Sequence, residues 1–216
     1  HPTIKVIIMS ATLPENMFTN YFTEVNDTPI IPLHVGSRCF KNTIYHTSDL
    51  KSILPAECNT LNELDRCYSI NRCNKLQITI SKVLVRYICS QHHKTKSKDG
   101  ISVLLFVPGM QEITEIKEYF DTIKTIHKYI TIPVHSELPL QEQKKAFEEV
   151  TEKDALTLII ATNSAESSVT FPNVDHVICM GVSKSIQGDS ILKKHWISKD
   201  SANQRAGRTG RLRPGN

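Results

Sequence analysis

Three runs of consecutive apolar residues most limit what this chain can fold into: KVIIM from Lys5, SVLLFV from Ser102 and LTLIIA from Leu156. None alternates with polar residues, so each strand would bury both faces, as strands do in a parallel sheet covered by helices on either side. Two weaker runs, ITIPVHS from Ile130 and VDHVICMG from Val174, complete the set. Between them lie the amphipathic patterns MQEITEIKEYFDTIKTIHKY and LQEQKKAFEEVTEK, which predict helices. Strand and helix in alternation imply a doubly wound α/β layer. From Pro14 to Gly100 the pattern is less regular, with PIIPLHV and NTIYHT read as short strands and LQITISKVLVRYICSQHH as a helix.

Composition excludes little by itself. A formal charge of +4 over 216 residues permits nucleic acid without demanding it. The six cysteines stand at irregular spacings with no CxxC pair and no His-x-His cluster, so they read as reduced thiols and imply no metal. No charged-then-apolar leader is seen, and no apolar run approaches the ~20 residues that span a bilayer. The expectation is a soluble chain without a membrane partner, cytoplasmic, with the nucleus as the alternative. The basic run KTKSKDG before Ile101 reads as a solvated loop or as an RNA contact.

In an open parallel sheet, ligands bind beyond the carboxyl ends of the strands. The apolar runs end in Ser10-Ala11-Thr12, Pro108-Gly109-Met110 and Thr162-Asn163-Ser164-Ala165-Glu166. Hydroxyls and small residues at such turns either expose backbone N–H groups to phosphate or simply cap the next helix. Near the end of the chain, NQRAGRTGRLRP carries Arg205, Arg208 and Arg211 at intervals of three, on what should be a helix, with Gly207 and Gly210 between them. A solvated basic face would normally carry Lys and Glu. Guanidinium forks and small residues suit close, bidentate phosphate recognition.

The segments HSELPLQEQKKAF, ATNSAESSVT and SANQRAGRTGR, preceded by SATL and LLFVPGMQEI, resemble in order and spacing the later motifs of DEAH-box (RNA helicase A type) superfamily 2 helicases. The resemblance runs from Lys5 to Gly215. It implies a RecA-like parallel sheet with helices on both faces over residues 29–216, the second RecA-like domain. Residues 1–28 would be the end of the first RecA-like domain, contributing a short strand, and a linker. No GxxxxGK[ST] and no DExH sequence occurs. ATP and Mg²⁺ would therefore be held mainly by the first RecA-like domain of the same parent chain, and the chain alone should not hydrolyse ATP.

Carried over residue by residue, the resemblance implies that Gln204, Arg208 and Arg211 engage the terminal phosphates, the two arginines as fingers. Phe147 would stack on adenine, and Thr170 would lie beside the nucleotide, although Pro172 stands where the family usually has an acid. Thr162, Asn163 and Lys184 would hold the backbone of single-stranded RNA, with Gly109 and Ser136 at neighbouring turns. Ser10 and Thr12 would couple nucleotide state to domain closure. A β-hairpin is implied between Lys184 and Trp196, turning at Gly188-Asp189 and shorter than usual, so duplex separation would be weaker than translocation. ESSVT followed by Phe171-Pro172-Asn173 resembles the germline helicases that carry Tudor domains, which implies a piRNA-pathway role. A non-catalytic RNA-binding scaffold derived from the same fold is the alternative.

Overall fold

The computed structural model describes residues 7–9, 15–26, 31, 33, 40–94, 100–148, 155–166, 171, 174–187, 191–210 and 215. The chain divides into two compact units, 1–37 and 38–216. In the first, helix α1 spans Glu15–Asn26. Ile7 and Met9 are 80% and 87% exposed and, with Ile8, form no strand, so the described part of the first apolar run lacks a ladder partner.

The second unit opens with α2 (Thr47–Ile53), α3 (Cys58–Asp65) and the long α4 (Ile70–Lys94). It continues through β1 (Ile101–Phe106), α5 (Met110–Thr122), β2 (Lys128–Val134), α6 (Leu140–Lys144) and β3 (Ala155–Ala161). Then follow β4 (His176–Cys179), β5 (Val182–Gln187), β6 (Ile191–Trp196) and α7 (Lys199–Ala206). Four strands form one parallel sheet in the order β2-β3-β1-β4, while β5 and β6 form a separate antiparallel ribbon.

The continuous apolar runs conceal a period of two. Val103 and Leu105 of β1 pack with Val85 and Cys89 of α4 and Ile113, Ile116 and Phe120 of α5. Leu104 and Phe106 point to the other face and pack with Ala146, Ala165, Phe171 and Val174. Each central strand thus buries both sides, as its composition requires.

Departures from expectation lie where side chains lack a partner surface. The NTIYHT strand is absent: Asn42 makes one isolated parallel bridge to Gly215, and a helix begins at Thr47. Of PIIPLHV only Ile31 and Leu33 are described; both are exposed and neither is in a strand. The helix through LQEQKKAF is short, five residues followed by a 3₁₀ turn at Lys145–Phe147. Helices α2 and α3 were not legible in the irregular segment.

Candidate functional site

All four strands of the parallel sheet end at one edge, and the turns that follow them collect four of the five residues expected to hold RNA. Gly109 follows β1, Ser136 follows β2, and Thr162 and Asn163 follow β3. Ser136 and Asn163 are exposed, whereas Thr162 is buried and its hydroxyl lies 3.1 Å from that of Ser164. Thr162 N–H also donates to the carbonyl of Val134, which ties the β3 turn to the end of β2. Of these two hydroxyls, the one of Ser136 is open to a ligand and that of Thr162 is engaged.

Lys184 does not stand alone. Its Nζ lies 3.3 Å from Oε2 of Glu112, Lys194 Nζ lies 2.7 Å from Oε1, and Asn74 Nδ2 donates to Oε1 at 2.9 Å. Lys184 and Lys194 are direct partners across the β5–β6 ladder. Two like charges opposed in this way would repel. Glu112, 2% exposed in the first turn of α5, is their shared counterion. Burial alone would raise its pKa, but the Lys194 hydrogen bond and the charges of Lys184 and Lys194 outweigh that and hold it below the ordinary carboxylate range. The Lys184 chain also lies over Gly109, where an added Cβ would meet Nζ at 2.7 Å.

Replacing Glu112 with Gln should therefore destabilise the fold by about 2 kcal/mol at neutral pH. That is less than for a fully buried pair, because the lysine side chains remain 18% and 19% exposed. A depressed folded-state pKa contributes stability that is fully present above the unfolded value of ~4.3 and lost as pH falls through the folded one. The gap between wild type and Glu112→Gln in urea midpoint should thus close on acidification below that value. A gap independent of pH would assign the loss to packing.

The arginine segment packs against the same sheet edge. Helix α7 ends at Ala206 with Gly207 as its cap, so Arg208 lies beyond the helix instead of on it. Two glycines in four residues stop the helix, and Gly210 sits at φ 74°, a conformation that favours glycine. Asn42 Nδ2 donates to the carbonyls of Ala206 and Thr209, fastening this end. Arg205, wholly buried, donates from Nε to Glu166 Oε2 at 3.1 Å and lies 4.9 Å over the Phe106 ring. Arg208, 8% exposed, donates from Nη2 to the carbonyl of Glu166.

The family resemblance gave Arg205 no role, yet it is the more buried of the two arginines described in this segment. Glu166 was read only as part of a turn, although it receives both guanidinium groups. Gln204 is half-buried on α7. Phe147, 36% exposed, stacks nearly parallel on buried Phe171 with centroids 5.4 Å apart, so it is not a core aromatic. The β5–β6 ribbon forms as expected, and the turn expected at Gly188-Asp189 lies outside the described residues. Arg211, Thr170, Pro172, Ser10 and Thr12 also lie outside them.

Among known proteins, residues 80–213 match the family model described as helicase conserved C-terminal domain. The chain is 30% identical over 220 residues to human "Probable ATP-dependent RNA helicase DHX34", covering 99% of this chain and 17% of that protein. It is likewise 30% identical over 230 residues to zebrafish (Danio rerio) "ATP-dependent RNA helicase TDRD9", covering 98% of this chain and 17% of the relative. The chain thus spans less than a fifth of these relatives. The crystal structure of the Escherichia coli DExH-box NTPase HrpB superposes with a TM-score of 0.52 at 26% identity, over 66% of this chain and 17% of that one.

Proposed function

Because the chain belongs to the helicase conserved C-terminal domain family, within the DEAH-box type of superfamily 2 RNA helicases, we propose that it is the second motor domain of an ATP-dependent RNA helicase. In this reading it supplies arginines to the terminal phosphates of ATP and a track for the RNA backbone. The observation that carries it is the convergence of Arg205 and Arg208 on Glu166, which seats the arginine segment beside the Thr162–Asn163 turn at the strand carboxyl edge. A nucleotide change sensed by the arginines then reaches the RNA-facing turn through one residue.

ATP would sit between this edge and a first RecA-like domain, which holds Mg²⁺ and the phosphate cradle. The exposed side of Phe147 offers a stacking surface for adenine, with Phe171 fixing the ring from behind. Arg208 and Arg211 would stabilise charge developing on the transferred phosphoryl group, and Gln204 would orient them or the attacking water. Single-stranded RNA would lie along Gly109, Ser136, Asn163 and Lys184, held by its backbone and not by its bases. Residues 1–28 would be the end of the first domain and the linker, with Ser10 and Thr12 coupling the two. The germline specialisation rests on Phe171–Asn173 alone, since identity to TDRD9 equals that to DHX34.

The test is RNA-stimulated ATP hydrolysis by the full-length helicase, with the present chain alone as the inactive control. RNA binding without stimulated hydrolysis would favour the scaffold instead. The triad makes a finer expectation for the RNA track: two lysines on one carboxylate leave one positive charge. Lys184→Ala should weaken binding of unrelated single strands equally and lower the salt slope, −dlogK/dlog[salt], by about 0.7, one phosphate. Glu112→Gln should raise the slope by a similar amount. Titrations at several salt concentrations measure both, and an unchanged slope in either variant would remove Lys184 from the track.

A further inference from the structure

At the opposite, amino-terminal edge of the sheet the fold assembles a second cluster that the proposed motor function does not use. Cys89 and His93 stand four residues apart on α4 and so share one helical face. His127 immediately precedes β2. Their ligand atoms, the sulfur and one nitrogen of each ring, all lie within 4.8 Å of one another. The two imidazoles stack at 4.0 Å between centroids with planes 12° apart.

We propose that Cys89, His93 and His127 form a binding site for a borderline-soft divalent cation, Zn²⁺ by ligand chemistry. One sulfur and two imidazole nitrogens suit zinc, whereas Mg²⁺ and Ca²⁺ require oxygen donors. Tetrahedral zinc would set the nitrogens about 3.4 Å apart and nitrogen to sulfur about 3.6 Å. Binding would draw the three ligand atoms together from within 4.8 Å and turn the stacked rings so that each lone pair aims at the ion. Cys89 is fully buried, so its sulfur faces the cluster from the protein side. On binding, the thiol proton leaves to solvent, sulfur and two ring lone pairs fill three positions, and water takes the fourth.

Two features of the surroundings favour a dication here. First, His93 lies in the last turn of a 25-residue helix and Cys89 one turn before it, near a carboxyl end that carries partial negative charge. Second, the metal would join α4 to β2, a strand paired on one side only within the described sheet. The ion would thus clasp the outer strand to the helix that covers it.

The full chain, stripped of metal by chelation, is titrated with Co²⁺ as a spectroscopic stand-in and then with Zn²⁺. One equivalent of Co²⁺ should produce tetrahedral d–d bands and a thiolate charge-transfer band, both abolished by one equivalent of Zn²⁺. Cys89→Ser should lose the charge-transfer band. His127→Gln, half-buried ahead of the strand and checked for folding by circular dichroism, should weaken Co²⁺ binding by at least about tenfold, the lower range for loss of even an outer-shell partner. The thermal midpoint should rise with Zn²⁺ in wild type but not in His127→Gln. Absence of the charge-transfer band in the folded wild type overturns the proposal. So does its survival in Cys89→Ser, or binding unchanged in His127→Gln, either of which would place the metal on other cysteines.

Discussion

Arg205→Ala should be the most destabilising single substitution at the candidate site, costing about 3–5 kcal/mol, the range for removing one partner of a buried ion pair. Arg205 is wholly buried and Glu166 retains only 17% side-chain exposure, so the abandoned carboxylate has little access to water. The substitution also removes the cation over the Phe106 ring and leaves a cavity where the long side chain lay. For a domain of this size the melting midpoint should fall by about 10 °C. Arg205→Met combined with Glu166→Gln should recover much of the loss, because replacing both charges strands neither. Thermal and urea unfolding of the double variant and of Arg205→Met and Glu166→Gln singly, beside wild type, give the coupling energy. If the double variant is no more stable than Arg205→Ala, shape and not charge pairing is what Arg205 provides.

Arg211→Ala, in the full-length helicase, should leave ATP affinity within a few-fold and lower kcat by about 10³ or more, the loss expected when an arginine finger is removed. In the proposed reading Arg208 would serve a mixed purpose, since its guanidinium already donates to the Glu166 carbonyl. Arg208→Ala should therefore lower both kcat and stability. Single-turnover hydrolysis read beside the thermal midpoint separates the two. A change in KM without a change in kcat would assign Arg211 to ground-state binding of nucleotide.

Much of the core was legible because burial on both faces leaves a direct trace in composition. SVLLFV and LTLIIA read as strands buried on both faces, and β1 and β3 are the two flanked on either side, whereas the described part of KVIIM forms no strand. The weaker ITIPVHS run is the outer strand β2, whose first residues are partly exposed. Helix ends were less legible. Spacing by three suggested a helix through Arg211, but Gly207 stops it at Ala206, since what a glycine does depends on the partner at hand, here Asn42.

Pairings between distant segments left no local signal. Glu112 and Lys184 are 72 positions apart, and Arg205 and Glu166 are 39. Glu112 looked like an ordinary acid in a first helical turn. Cys89 and His93 carried a readable i, i+4 spacing, but only the fold brings His127 to them. The motifs indicated which residues to inspect, and the topology determined which of them are already committed to one another.

The β5–β6 ribbon has a mechanical consequence. Its lysine pair is bolted to Glu112 two residues from the base, at Lys184 and Lys194. Beyond that bolt, residues 185–187 and 191–193 project as a cantilever about 10 Å long at 3.3 Å per residue. Its outer part bears exposed Ile186, Ile191 and Leu192. A load on the tip is therefore delivered to the first turn of α5 and to Gly109 beneath the Lys184 chain. In the proposed motor the ribbon would act as a lever with Glu112 as its charged fulcrum, and the stiffness of that anchor would limit the force the arm could exert.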